Sequence, residues 1–227
     1  MTENAAGEKA TVRVKSPVMA RNDEIAARTQ ALLDGMGLRA ANLMSSPGSG
    51  KTTLLEAVAA RVGPAMAVIE GDVQTSRDAD RITRAGCLAR QIETRGACHL
   101  DAGMVADAVA AMPLDPAAHR LLVIENVGNM ICPSGYWLGE HLRAAILSVP
   151  EGDDKVLKYP GLFSRVHAVV LGKIDLLPYL PFDMERAMDE CRAINPDIRI
   201  FPLSARTGEG VEAFISWLFE AEDRWRG

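Results

Sequence analysis

Short runs of apolar residues recur along the chain from residue 40 onward, each about as long as a β-strand. They occupy residues 41–44, 66–69, 121–124, 144–149, 166–171 and 198–203. Apolar runs without alternation are typical of strands that are buried on both faces of a sheet. The pattern therefore predicts six buried strands.

Segments with helical periodicity lie between and after these runs. They span residues 51–62, 78–85, 102–112, 183–194 and 211–219. The last of them is the clearest, because Val211, Phe214 and Leu218 share one face of a helix. Strands that alternate with helices predict an α/β fold with a mostly parallel sheet and helices on both faces.

The first 39 residues differ from this pattern and are predicted to form an N-terminal extension with one helix near residues 22–36. Asn22 is a suitable cap for that helix, and Gly35 and Gly37 are expected to end it. Residues 40–227 then form one domain, a reasonable length for a single α/β core.

The composition narrows the class of partner. The 227 residues carry a formal net charge of −5, so no basic field draws the chain to nucleic acid or to an anionic membrane. No segment approaches the roughly 18 apolar residues of a membrane span, and the start of the chain lacks a signal-peptide core. We therefore expect a cytoplasmic protein without nucleic-acid or membrane partners. In that compartment the four cysteines are expected to be thiols, metal ligands or small buried hydrophobic residues.

A phosphate-binding loop follows the first predicted strand. Residues 45–53 read Ser-Ser-Pro-Gly-Ser-Gly-Lys-Thr-Thr, which matches the P-loop pattern except that Ser45 replaces its first glycine. The residues expected to bind nucleotide here are Pro47, Gly48, Ser49, Gly50, Lys51, Thr52 and Thr53. Lys51 would reach the terminal phosphates, and Thr52 would hold Mg²⁺. A Gly/Ser-rich connecting turn is the alternative, but a strand before and a helix after favour a P-loop NTPase.

Two predicted strands end in carboxylates. Asp72 follows the second strand, and Glu125 follows the third, with Gly128 three residues later. Ligands of open α/β sheets bind at this edge, so both carboxylates suit Mg²⁺, and we expect Lys51 and Asp72 to take part in hydrolysis. Gly128 would let its loop turn an N–H toward a third phosphate. Each carboxylate could instead be an ordinary solvated loop residue.

A base-reading element follows the fifth predicted strand. Its residues are Gly172, Lys173 and Asp175, and Ser204 and Ala205 follow the sixth strand. An Asp carboxylate can accept hydrogen bonds from the two guanine N–H groups that adenine lacks, and the Lys173 stem would lie along the base. The first position is usually Asn, so Gly172 lacks a side-chain amide. The alternative is an exposed charge pair.

Three residues are candidate ligands for a softer metal. Cys98 and His99 are adjacent, and Cys132 follows the Glu125–Gly128 loop. A two-fold dimer could bring Cys98, His99 and their mates together as four N/S ligands for Zn²⁺ or Ni²⁺. From spacing alone the alternative is favoured, with Cys98 as a small buried hydrophobe and His99 as its hydrogen-bonded neighbour.

The motifs resemble those of the HypB family, GTPases that assist nickel insertion into [NiFe]-hydrogenase. They are residues 42–53, 71–75, 98–102, 125–129 and 157–160, and Ser45 looks like the family's own form of the P-loop. The resemblance implies GTP-dependent homodimerisation and a Ni²⁺ or Zn²⁺ site at Cys98, His99 and Cys132. It also implies the hydrogenase large subunit and other maturation proteins as partners. Residues 1–39 contain no Cys or His, and Gly103 stands where some relatives have a histidine.

The leading hypothesis is a GTPase that converts GTP and water to GDP and phosphate while it switches the metal site. No Gln or Arg for activating water stands out, so hydrolysis is expected to be slow. One alternative is a metal-binding adaptor whose nucleotide site is structural. Another is a related GTPase that serves urease or a cobalamin enzyme, although the Cys-Pro-His motif of the urease type is missing.

Overall fold

Parallel strands form a single sheet at the centre of the molecule. The computed structural model describes residues 17–72, 77–94 and 96–220. Its strands are β1 (Arg39–Ser45), β2 (Met66–Asp72), β3 (Leu88–Glu93), β4 (Leu121–Glu125), β5 (Leu142–Ser148), β6 (Ala168–Gly172) and β7 (Arg199–Leu203). The strand order is β3-β2-β4-β1-β5-β6-β7, and every neighbouring pair is parallel. The α/β prediction is confirmed.

Helices cover both faces of the sheet. They are α1 (Pro17–Gly35), α2 (Lys51–Val62), α3 (Arg77–Arg84), α4 (Ala102–Ala111), α5 (Lys155–Lys158), α6 (Pro160–Phe163), α7 (Met184–Ile194) and α8 (Val211–Glu220). Core residues of β1 and β4 pack with α2 and α8 on one face, while α1 and α4 share a cluster on the other. Within the described residues, no helix is long and apolar enough to cross a bilayer.

One strand was missed by the apolar pattern. The six predicted strands are confirmed, but β3, at the edge of the sheet, was not predicted. It pairs only with β2, and none of its residues is buried. An edge strand with three polar or charged residues in six carries no continuous apolar run, so the pattern could not identify it.

The first helix begins earlier than predicted, and the capping role of Asn22 is wrong. The described helix already includes Pro17, so Asn22 lies inside it. Its side chain is buried, donates to the Trp137 carbonyl at 2.8 Å and accepts from the Ala102 N–H at 3.0 Å. The helix ends at Gly35 as expected. The division of the chain at residue 39 stays a prediction.

The strand order gathers the candidate site at one edge of the sheet. β1 lies between β4 and β5, so the phosphate loop leaves the sheet beside the end of β4. Leu43 of β1 is level with Glu125, and Glu70 of β2 is level with Glu125 on its other side. β6 and β7 end beside each other further along, with Gly172 level with Leu203. Phosphate and base elements therefore occupy neighbouring parts of the same edge.

His167 makes the stability of the fold sensitive to acid. Its Nδ1 accepts the Arg143 N–H at 2.9 Å, and burial, with a smaller effect of the Arg143 charge, lowers the His167 pKa below 6.5. The unfolded chain therefore takes up the proton first, so this stabilisation is complete above about pH 6.5 and is lost as the pH falls through the lowered pKa.

We expect His167→Asn, which keeps an acceptor but does not titrate, to show a smaller loss of stability between about pH 7.5 and 5.5. Urea unfolding at the two pH values measures the difference. Identical pH dependence in the variant and the parent would contradict this role of His167.

Candidate functional site

The loop between β1 and α2 has the backbone geometry of a phosphate cradle. Gly48 and Gly50 have φ angles of +74° and +98°, which favour glycine, and Gly50 directly precedes the helix. The first N–H groups of α2 have no intrahelical partner, and the helix dipole is positive at this end. The loop can therefore receive an anion where the sequence predicted one.

Ser45, which replaces the first glycine of the general motif, organises the loop. Its buried hydroxyl accepts from Lys51 Nζ at 2.8 Å and from the Ser49 hydroxyl at 2.6 Å. Lys51 is itself only 8% exposed, so its ammonium is held under the loop. The serine thus fixes the lysine in a position from which it can reach a phosphate, a contact that sequence reasoning did not anticipate.

Hard oxygen ligands meet beside the loop. The Thr52 hydroxyl donates to Glu125 Oε1 at 3.2 Å, and Glu125 is 5% exposed at the end of β4. Asp72 is the last residue of β2, and its side chain lies outside the described part of the structure. A hydroxyl and a carboxylate are donors that Mg²⁺ prefers, so Thr52 and Glu125 fit that ion.

The segment after β4 lies against the phosphate loop. A Cβ placed on Gly128 would lie 3.1 Å from the Pro47 backbone N and Cα, closer than a side chain normally packs. Only glycine therefore lets the two loops approach this closely without a shift. A change in the phosphate loop has a direct steric route to the segment that continues to Cys132.

A cavity of about 570 Å³ opens beside the loop at the ends of β6 and β7. Its lining includes Ser49, Gly50, Thr53, Ile146, Val170, Gly172, Lys173, Asp175, Leu176, Tyr179, Leu203, Ser204, Ala205 and Arg206. Apolar walls with a few polar groups are typical of small-molecule sites. The structure thus brings all the predicted base-contacting residues to one cavity next to the P-loop.

Asp175 is held in its ionised form. Its carboxylate accepts from the Ser204 hydroxyl at 2.5 Å and from Arg206 Nε at 2.9 Å, and these contacts, Ser204 first, lower its pKa. Lys173 has a φ of +60°, rare for a side chain other than glycine, and its Nζ donates to the Gly48 carbonyl at 2.7 Å. The predicted base-reading element is therefore hydrogen-bonded to the phosphate loop through Lys173.

The three candidate ligands of a softer metal meet within one chain. The ligand atoms of Cys98, His99 and Cys132 all lie within 4.8 Å of one another. Metal–ligand bonds of about 2.0–2.3 Å place ligand atoms about 3–4.5 Å apart, so small adjustments suffice. Cys98 is exposed, so the alternative of a buried small hydrophobe is wrong.

The surroundings of the cluster favour a cation. A hydrogen bond in which the Cys98 thiol donates to the Cys132 sulfur is the main reason that the Cys98 pKa is raised above its ordinary value. Two neighbouring thiolates repel each other, and a divalent cation between them removes that repulsion. The His99 ring packs on Tyr136, with ring centroids 4.1 Å apart. Two thiols and an imidazole are donors for Ni²⁺ or Zn²⁺.

Several of these contacts were not predicted from the sequence. Arg206 directly follows Ser204 and Ala205, so its position in the chain was a usable signal for a residue beside the base pocket. Tyr136 gave no signal, because its contact with His99 depends on how two loops meet. The same holds for the hydroxyl contacts of Ser45.

Known proteins are similar to this chain in sequence and in fold. Residues 40–202 match the family model described as CobW/HypB/UreG, nucleotide-binding domain. The hydrogenase maturation factor HypB of Escherichia coli is 45% identical over 213 residues, 93% of this chain and 73% of that protein. The hydrogenase/urease maturation factor HypB of Helicobacter pylori is 41% identical over 214 residues, 93% of this chain and 88% of that protein.

Two solved structures agree with these matches. Helicobacter pylori HypB in complex with nickel superposes with a TM-score of 0.84 at 42% identity, covering 88% of this chain and 94% of that one. Archaeoglobus fulgidus HypB gives a TM-score of 0.82 at 36% identity, covering 89% and 98%. The chain therefore belongs to the CobW/HypB/UreG family of nucleotide-binding proteins and, within it, to the HypB maturation factors.

Proposed function

We propose that the protein is a slow GTPase that carries nickel to [NiFe]-hydrogenase and couples metal binding to its nucleotide. The observation that supports this most strongly is the path from Gly128, which lies against Pro47, to Cys132 in the metal cluster. Three residues of one loop lie between the two positions. A nucleotide that shifts the phosphate loop therefore acts on a metal ligand.

The preference for guanine rests on Asp175. Its ionised carboxylate lines the cavity beside the phosphate loop, and Ser204 and Ala205, which line the same cavity, would contact the base. Each carboxylate oxygen has two lone pairs, so Asp175 can keep the Ser204 contact while it accepts from guanine N–H groups. Adenine offers no such pair of donors, so the lone pairs of Asp175 that face the base would be desolvated without a partner there.

The phosphate chemistry uses few groups of the protein. Lys51 and the N–H groups at the start of α2 would bind the phosphates, while Thr52, Glu125 and Asp72 would hold Mg²⁺. The bound ion would offset the charge on the terminal phosphates. Residues 126–131 contain no Gln or Arg that could orient water or contact the transferred phosphate. We therefore expect hydrolysis by the protein alone to be slow, and turnover of several per second would contradict this expectation.

Nickel is the cargo of this cycle and not a resident cofactor. Cys98 and Cys132 supply sulfur and His99 supplies nitrogen, a donor set that also accepts Zn²⁺. The structure of Helicobacter pylori HypB in complex with nickel supports the choice of Ni²⁺. GTP binding pairs two copies of the chain, and release of phosphate hands the metal to the hydrogenase large subunit with other maturation proteins. The second candidate function is maturation of urease, because the name of the Helicobacter pylori relative includes urease as well as hydrogenase.

Lys51→Ala distinguishes a GTPase from an adaptor with a structural nucleotide site. Hydrogenase activity in a strain that lacks the native gene is expected to fall at least about tenfold, because loss of the lysine removes terminal phosphate contacts. Arg192→Ala, which removes an exposed cation on α7, is the control and should restore activity fully. Normal maturation by a folded, metal-binding Lys51→Ala variant would contradict the proposal.

A further inference from the structure

A chain of buried polar side chains runs beneath both candidate sites. Asn126, directly after Glu125, is 1% exposed, and its amide donates to Asn42 Oδ1 at 3.3 Å. Asn42 is fully buried in β1, three residues before Ser45, and donates in turn to Glu140 at 3.3 Å. Glu140 also accepts from Arg143 Nε at 2.6 Å. Buried amides with satisfied partners hold a defined geometry, because each lost bond is costly there.

The oxygen of Asn126 reaches across to the metal loop. Asn126 Oδ1 accepts from the Leu100 N–H at 3.2 Å, and it also accepts from the Val127 N–H at 3.0 Å. Leu100 directly follows His99, so this bond fixes the backbone from which His99 and Cys98 project. One side chain therefore holds both the start of the loop after β4 and the loop that carries two of the three metal ligands.

Leu100 also contacts the end of β2, the other strand that ends in a carboxylate. Its side chain is fully buried, and a Cβ added at Gly71, the residue before Asp72, would lie 2.9 Å from Leu100 Cγ. The residue after His99 is thus in contact with the ends of both β2 and β4. A movement of either strand end must move Leu100 or break its contacts, since packed interiors do not deform continuously.

The geometry points to Asn126 as a positioning residue that transmits the nucleotide state to Cys98 and His99. The proposal rests on the proposed function, in which nucleotide and nickel binding are linked. The loop through Gly128 acts on Cys132, while Asn126 acts on the other two ligands through the Leu100 N–H. With both routes, a change at the third phosphate alters the spacing of the whole ligand set.

Two substitutions at Asn126 separate coupling from stability. Asn126→Ala removes the acceptor toward Leu100, whereas Asn126→Asp keeps both acceptor positions and loses the donor toward Asn42. The measured quantity is the ratio of nickel Kd values with GDP and with a non-hydrolysable GTP analogue. We expect this ratio to differ from unity at least about fivefold in the parent, to fall below about twofold in Asn126→Ala, and to be largely kept in Asn126→Asp.

Thermal melts of the same two variants should rank them in the opposite order, because the variant that keeps the nickel coupling is expected to lose more stability. Asn126→Asp buries a charge near Glu140 and is expected to be the less stable of the two. Asn195→Ala is the matched control, because Asn195 donates to the Val166 carbonyl at 2.9 Å at the end of α7, away from both sites. It should lose stability and keep the ratio. A parent-like nickel Kd ratio in Asn126→Ala would overturn the assignment of Asn126. A ratio in Asn195→Ala that falls as far as in Asn126→Ala would also overturn it.

Hydrogen exchange of the unmodified protein gives a second test that does not depend on folding of a variant. Exchange of the Leu100 N–H should differ between the GDP and analogue-bound forms, while amides in the centre of β4 should not. If the parent shows a nickel ratio of unity, the coupling in the proposed function fails. If the parent ratio differs from unity but the Leu100 N–H exchanges equally in both forms, only the role of Asn126 fails.

Discussion

Asp175→Asn is expected to convert the nucleotide preference from GTP to xanthosine triphosphate. The carboxylate accepts from both guanine N–H groups, but an amide offers one acceptor and one donor, so one guanine donor would face another donor. Loss of a charge-assisted bond together with an unpaired buried group costs about 3–4 kcal/mol, or about 100- to 1000-fold in the Kd for GTP. Xanthine carries a carbonyl at that position and pairs with the amide. Calorimetry with GTP and with xanthosine triphosphate measures both Kd values and so the change of preference.

Asp197→Asn is the matched control for this substitution. Asp197 is an exposed carboxylate outside the cavity, so the same chemical change there should leave both affinities unaltered. Unchanged GTP affinity in Asp175→Asn would contradict the role of Asp175 in base reading. Equal weakening of GTP and xanthosine triphosphate would mean instead that the lost Ser204 and Arg206 contacts had deformed the pocket.

Replacing either cysteine of the metal cluster by serine should remove most nickel binding while nucleotide binding remains. A neutral hydroxyl is a poor ligand for Ni²⁺ compared with a thiolate, and each cysteine is one of three candidate ligands that meet in the described part of the chain. Substitutions in outer-shell partners already weaken metal sites about 10- to 100-fold, so Cys98→Ser and Cys132→Ser should lower nickel affinity by about 100-fold or more. Competition with a coloured chelator measures the Kd.

Cys87→Ser controls for the loss of a thiol. Cys87 is buried outside the cluster and donates to the Gly63 carbonyl at 2.9 Å, a contact that a hydroxyl can also make. Its nickel affinity should match that of the parent. Full nickel affinity in Cys98→Ser and Cys132→Ser would show that the metal binds elsewhere in the chain.

Local chemistry explains which parts of the molecule could be predicted from the sequence. The phosphate loop was visible because glycines at positions 48 and 50, a lysine and a helix start lie within a few residues. Buried strands were visible because a strand covered on both faces must be apolar throughout. The edge strand β3 needs no such run, and Asn22 was misassigned because capping residues and buried hydrogen-bonding residues are of the same type.

Contacts between distant segments could not be predicted in this way. The spacing of Cys98 and Cys132 gave only weak support for a shared site, and their approach depends on the loops that follow β3 and β4. The bond between Asn126 and the Leu100 N–H joins the same two loops and had no sequence signal. Both arise from the strand order, which places β2 between β3 and β4.

The central claim is that nucleotide and nickel bind to linked sites, and a single pair of titrations tests it most directly. Nickel Kd values are measured by chelator competition with saturating GDP and with saturating non-hydrolysable GTP analogue. The account predicts values that differ at least about fivefold, with nickel changing the relative affinity for the two nucleotides by the same factor. Equal nickel affinity in the two nucleotide states would contradict it.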